Sequence, residues 1–363
     1  MKSASGKIDC DVTSASTSKT INEMTHLFPE IEPRRAGDLS VGDGHILYWE
    51  QCGTADGLPL LLLHGGPGSG CTANHRRLFD PRHFNVTLMD QRGAGRSTPH
   101  LGLTHNTTGH LIDDIEALRQ RLEIDQWIIF GPSWGSTLAL AYAEAFPEHV
   151  MALIVEAIFL GTKTELSWWH ETDGAPRFFP DVWDDFIAPV PAKHRKTARS
   201  VLDWCLADMQ REQAEKFVSL NRLSDAKASL GELRKSTLYR WTEFEERLSY
   251  MQKSAEQART SLAERGPAYV AAHSLIEAHY FKNNCFLEPD QLIKHARQLA
   301  NTPMRILHSR FDMVCPPQSA FRLAAACPHA QLIMEPMSGH GMTDAMQARL
   351  NTAMHGLRLE LRP

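Results

Sequence analysis

The sequence lacks the marks of several function classes. Seven cysteines are scattered over 363 residues with no Cys-x-x-Cys pair, so a disulfide framework is not expected and the thiols read as reduced, in a cytosolic protein. No His-Glu-x-x-His or comparable ligand spacing occurs among the 18 histidines, which argues against a metal site. No apolar run is long enough to cross a bilayer. No Lys/Arg block occurs and the net charge is -5, so a nucleic-acid partner is not expected. Residues 1–26 are rich in Ser and Thr without an apolar stretch. They read as a disordered tail rather than a secretory signal. What remains is ordinary for a soluble globular chain: 42% apolar and 22% charged residues.

Ile128-Ile129-Phe130-Gly131-Pro132-Ser133-Trp134-Gly135-Ser136-Thr137 is the most informative stretch. An apolar strand runs into Gly-x-Ser-x-Gly, and the helical pattern Leu138-Ala139-Leu140-Ala141-Tyr142 follows. Strand, sharp turn and helix form the context in which a serine is held exposed as a nucleophile. Glycines fit where strand and helix crowd together. The N–H of Trp134, at the start of the helix, is expected to be free to bind an oxyanion.

Such a serine needs a second oxyanion donor, a base and an acid. Pro59-Leu60-Leu61-Leu62-Leu63 reads as a buried parallel strand and ends in His64-Gly65-Gly66-Pro67-Gly68-Ser69-Gly70. No Gly-Lys-Ser/Thr follows, so a phosphate loop is set aside, and Gly65 or Gly66 becomes the candidate donor. Phe84 to Met89 is a further strand. The charges of the Asp90-Gln91-Arg92 turn after it read as surface capping groups. Asp312 follows the strand Met304–His308, and His340 follows the strand Gln331–Met334 in a glycine-flanked loop. The order Ser133, Asp312, His340, each after a strand, is that of α/β-hydrolases. A serine at the elbow disfavours epoxide hydrolases and haloalkane dehalogenases, which place Asp there.

The expected fold is therefore α/β, with a mostly parallel central sheet. Residues 27–160 and 301–363 form the core. Residues 161–300 carry few strand signals, and helical segments are expected at Ser200–Arg222, Thr237–Arg259 and Ala268–Tyr280. They read as an inserted helical cap whose aromatic residues are mostly core.

Further stretches carry a resemblance. Leu63-His64-Gly65-Gly66-Pro67-Gly68, Asp90 to Ser97, Ser133 to Leu140, Gly339-His340-Gly341 and Glu277-Ala278-His279-Tyr280-Phe281 resemble the proline iminopeptidases, serine peptidases of the α/β-hydrolase fold. The resemblance implies release of an N-terminal proline from small peptides without metal or other cofactor. It also implies that cap glutamates recognise the free amine: Glu245, in Trp241-Thr242-Glu243-Phe244-Glu245, and Glu277. Phe159 matches an aromatic that packs on the proline ring. Glu156-Ala157 stands where the family usually has Arg-Gly, Pro132 replaces a glycine, and Phe244 replaces a tryptophan. The rival readings are an esterase or amidase with the same triad and a non-catalytic binding protein on this fold.

Overall fold

The computed structural model describes residues 26–214, 231 and 233–361. The Ser/Thr-rich tail before His26 and the end of the helix expected at Ser200–Arg222 lie outside the described residues.

Eight strands form one sheet: β1 (Arg35–Ser40), β2 (Ile46–Gly53), β3 (Leu58–Leu63), β4 (Phe84–Met89), β5 (Trp127–Pro132), β6 (Val150–Glu156), β7 (Met304–Ser309) and β8 (Gln331–Glu335). Their order is β1-β2-β4-β3-β5-β6-β7-β8. β2 pairs antiparallel with β1 and β4, and the remaining neighbours are parallel. The continuous apolar runs of β3 and β5 follow from this. In the sheet centre both faces are covered, so Leu60 to Leu63 and Trp127 to Phe130 are all fully buried. Side-chain alternation divides them between two cores. Leu61, Leu63 and Ile129 pack with Leu138 and Tyr142, while Leu60, Leu62, Ile128 and Phe130 pack with Met346, Leu350 and Leu357. The strand β1 had no apolar signal. Its sequence, RAGDLS, is a polar edge strand with exposed positions, where charge discourages pairing with a further chain.

Between β6 and β7 the described elements are helical. The longer ones are α3 (Lys163–His170), α4 (Pro180–Ile187), α5 (Ala198–Glu212), α6 (Thr237–Ser249) and α7 (Ala255–Lys282). α1 (Thr108–Arg121) and α2 (Trp134–Ala145) precede them. The single helix expected over Thr237–Arg259 is two. α6 ends at Ser249, and Ser254 starts α7 with a reciprocal cap: Gln257 N donates to Ser254 Oγ at 3.2 Å and Ser254 N to Gln257 Oε1 at 2.8 Å. α7 then bends at Gly266-Pro267, where Gly266 has φ +83°. The aromatic residues Trp169, Phe186, Trp241, Phe244 and Phe281 are buried together, with Trp169 and Trp241 centroids 5.2 Å apart. They make a core for this helical layer.

Candidate active site

The site begins at the C-terminal end of β5. Ser133 has φ 55° and ψ -125°, a left-handed conformation that costs a non-glycine residue about 1–3 kcal/mol. Its neighbours hold it there. Ser133 N donates to Glu156 O at 2.9 Å, and Ser133 O accepts from Ser136 N at 2.8 Å and Ser136 Oγ at 2.6 Å. A Cβ at Gly131 would strike the Gly135 carbonyl, and one at Gly135 the Leu63 carbonyl. Both glycines are therefore required by the close approach of strand and helix.

Ser133 Oγ lies 3.1 Å from His340 Nε2, and His340 Nδ1 lies 2.8 Å from Asp312 Oδ2. The other Asp312 oxygen accepts from Val314 N at 3.0 Å and Cys315 N at 2.7 Å. The carboxylate on Nδ1 fixes the proton there and leaves Nε2 to accept the serine proton. Burial lowers the affinity of His340 for a proton. The adjoining Asp312 carboxylate outweighs it, with Glu156 and Glu245 adding to the field, and pushes the imidazole up to about 9. His308 closes the far side of Asp312: it accepts from Ile158 N at 2.9 Å and so donates through Nε2 to Cys315 O at 3.0 Å.

Gly65 and Gly66 face the elbow from the loop after β3. A Cβ on Gly65 would stand 3.4 Å from Ser133 Cβ, so a side chain there would crowd the nucleophile. Trp134 N opens α2, where a helix leaves its first N–H groups without intrahelical partners. The Asp90 turn supports this loop, contrary to its reading as surface charge. Asp90, Gln91 and Arg92 are buried. Asp90 Oδ1 accepts from Cys71 N at 2.6 Å, and Arg96 Nε donates to Asp90 Oδ2 at 2.7 Å. Gln91 Nε2 donates to His64 O at 2.9 Å, and Gln91 Oε1 accepts from Trp134 Nε1 at 2.9 Å. Alternating charge types in a short turn looked solvated in sequence because their partners, Glu50 and Asp114, are distant in the chain.

The cap supplies the opposite wall. A cleft of ≈ 360 Å³ is lined by Gly65, Gly66, Ser133, Glu156, His340, Glu245 and His273, among others. Glu245 and His273 are hydrogen-bonded through Oε2 and Nε2, and His273 Nδ1 is 3.1 Å from Ser69 Oγ. Glu277 stands behind them, 3.6 Å from His273 Nε2, and accepts from Trp241 Nε1 at 2.5 Å. Burial alone would raise the Glu245 carboxyl, but the His273 contact holds it below its ordinary value. Burial and the adjacent Glu245 charge raise Glu277 well above the ordinary carboxyl range. His273 was not found in the sequence. Its position one helical turn before Glu277 is the signal that could have found it. Phe159 is placed differently from a direct ring contact. It is not among the residues lining this cleft, packs on Phe281 at 5.3 Å, and is tied by its backbone to Ser136 and Thr137.

Among the described residues two groups bring potential metal-ligand atoms within 4.8 Å of one another: Asp43, His105 and His110, and Glu245, His273 and Glu277. The six cysteines described are free thiols. No described helix is long and apolar enough to cross a membrane.

Residues 59–343 match the model of the alpha/beta hydrolase fold family. The chain is 43% identical over 319 residues to a proline iminopeptidase of Xylella fastidiosa (strain 9a5c), covering 87% of this chain and 94% of that protein. It is 41% identical to one from Xanthomonas citri, with the same coverage, and 37% identical to one from Arabidopsis thaliana, covering 89% and 79%. Among solved structures, a proline iminopeptidase-related protein from Thermus thermophilus superposes with TM-score 0.55 at 20% identity, over 90% of this chain and 99% of that one. A bromoperoxidase from Bacillus anthracis does so with TM-score 0.59 at 15% identity, over 90% and 100%; at such identities the likeness concerns the fold alone. The similarity to the curated relatives, over most of the chain, is of another order, and by it the chain belongs to the proline iminopeptidase family of α/β hydrolases.

Proposed function

We propose that the protein is a serine aminopeptidase that releases N-terminal proline from small peptides through an acyl-enzyme. The observation that carries this reading is the unbroken relay from Ser133 Oγ through His340 to Asp312, opening on a cleft whose far wall carries Glu245. His340 takes the Ser133 proton as Oγ attacks the proline carbonyl, and Asp312 orients the ring and stabilises the imidazolium. The N–H groups of Trp134 and Gly66 receive the oxyanion, each worth about 3 kcal/mol, while Gly65 keeps the approach clear. His340 then protonates the leaving amine, and water releases proline.

The protonated secondary amine of the substrate enters beside Glu245 and Glu277. Before it arrives, the His273 contact holds Glu245 below the ordinary carboxyl range, while burial and the Glu245 charge hold the second, Glu277, above it. An arriving cation draws the second to ionise, so the pair adapts to its ligand. Phe159, set behind the cleft wall, supports the apolar floor under the proline ring from beneath. The rival esterase or amidase reading gives this buried acidic pair no ligand, because a neutral acyl group brings no cation to it.

A serine-reactive phosphonate tests the relay. It is expected to label the wild type once per chain, to fail on Ser133→Ala, and to be slowed by proline. Undiminished labelling of Ser133→Ala would contradict the assignment.

A further inference from the structure

The cleft has a second wall that the proposed chemistry does not use. Glu156 closes β6 beside the elbow, its backbone oxygen receiving Ser133 N. Its side chain continues the alternation of Ala152 and Ile154, towards the core shared with Met346 and Leu350. It is 3% exposed, lines the cleft, and its Oε1 has no hydrogen-bond partner among the described residues. Gln347 lines the same cleft at 1% exposure. Its Nε2 is committed to Leu78 O at 3.0 Å and Asn351 Oδ1 at 2.9 Å. That fixes the amide orientation and leaves Oε1 without a described partner. Two buried acceptors without partners thus belong to residues that line one cleft, and buried acceptors demand donors.

The position of this wall relative to the chemistry follows from His340. A histidine that hands its proton to the leaving amine stands on the leaving side of the scissile bond. The charged groups that act most on Glu156 are His340 and Asp312, and the wall continues through Met342, Thr343 and Asp344 directly after His340. The amine-binding carboxyls come instead from the cap. The two acidic regions are thus carried by different layers of the fold, Glu156 by the sheet and Glu245 and Glu277 by the helices over it. Arg265, the guanidinium that also lines the cleft, lies on the cap wall and is engaged with Tyr269, its charge 4.5 Å from the ring centroid and its Nη1 bonded to the hydroxyl.

We propose that Glu156 and Gln347, with Asp344 at the rim, form a subsite that selects peptides with a cationic second residue, lysine or arginine following the N-terminal proline. This rests on the aminopeptidase reading given above. A lysine or arginine side chain brings the donors that both orphaned oxygens lack. It also replaces the burial that keeps Glu156 uncharged, pushed up to about 8, with a paired charge. A glutamate side chain would add a third carboxyl to the same wall and donate nothing.

The test is the ratio of kcat/KM values within one enzyme preparation, for Pro-Lys, Pro-norleucine and Pro-Glu amides. Wild type is expected to favour lysine over norleucine by about tenfold, one charge-assisted contact, and norleucine over glutamate by a similar factor. Glu156→Gln and Gln347→Leu are each expected to shrink the lysine-to-norleucine ratio to below about threefold. A flat wild-type profile with proline release intact would overturn the subsite alone, as would an unchanged ratio in both variants. Absence of proline release from all three amides would overturn the aminopeptidase reading and the subsite with it.

Discussion

The two walls of the cleft are built on different principles. On the sheet side, each atom of the relay has a fixed partner: Asp312 is pinned by two backbone N–H groups, His340 by Asp312, and Ser133 by the elbow. On the cap side, the carboxyl groups of Glu245 and Glu277 crowd against the single His273 imidazole. The relay on the first wall is satisfied before substrate arrives, as suits groups that must already stand in reacting geometry. The second gathers two carboxyl groups around one imidazole, an arrangement that the proposed ammonium ligand would complete. In the proposed function, catalytic power is thus placed on rigid strand ends, and selectivity on helices laid over them.

Substitutions should separate the two walls. Ser133→Ala on the sheet side is expected to lower kcat on proline anilide by about 10⁶-fold, as removal of a triad nucleophile does, with little change in the binding of proline as a product inhibitor. Glu245→Gln on the cap side removes a buried charge partner. It is expected to cost about 10²–10³-fold in kcat/KM for free-amine substrates, mostly through KM, and phosphonate labelling of Ser133 should persist. A loss confined to kcat would place Glu245 in the relay and dissolve the distinction between the walls.

The pH profile sharpens the same comparison. His340 acts as base only when neutral, and its proton is held up to about 9 by Asp312 against the effect of burial. Below that value kcat/KM should fall by about tenfold per pH unit. Asp312→Asn, besides its large rate loss, should move this limb to lower pH; an unmoved limb would assign it to another group. The smallest effect expected is on stability. Burial raises the Glu156 carboxyl from its ordinary value to about 8, so the fold accommodates its neutral form. Wild-type stability should therefore fall as pH rises from about 4.5 to about 8. Glu156→Gln should melt a few degrees above wild type at pH 8 and together with it at pH 4.5. Equal melting at both values would contradict the buried, unpartnered placement.

Much of the sheet-side wall was legible in the sequence, because local pattern encodes it. Ser133 lies between two glycines that strand–helix crowding requires, and Asp312 and His340 each follow an apolar strand. The same logic failed where the signal is not local. The edge strand β1 has no apolar face to show. The Asp90 turn looks solvated until Arg96, Cys71 and Gln91 are seen closing it beneath the loop after β3. In the helical layer, the break between α6 and α7 is written in the Ser254–Gln257 cap, which a search for apolar periodicity passes over. Glu245 and Glu277 entered through family resemblance, since on periodicity alone each is a polar residue on a helix. Gln347 depends on contacts with segments far apart in the chain, which no spacing within its own segment records, and His273 is marked only by standing one helical turn before Glu277.

The most direct test is hydrolysis of proline anilide beside N-acetyl-proline anilide by the same enzyme. The account predicts rapid cleavage of the first and none detectable of the second, because acetylation removes the charge that completes Glu245 and Glu277. Comparable cleavage of both would leave Ser133, His340 and Asp312 as a hydrolytic centre but would contradict amine recognition by the cap.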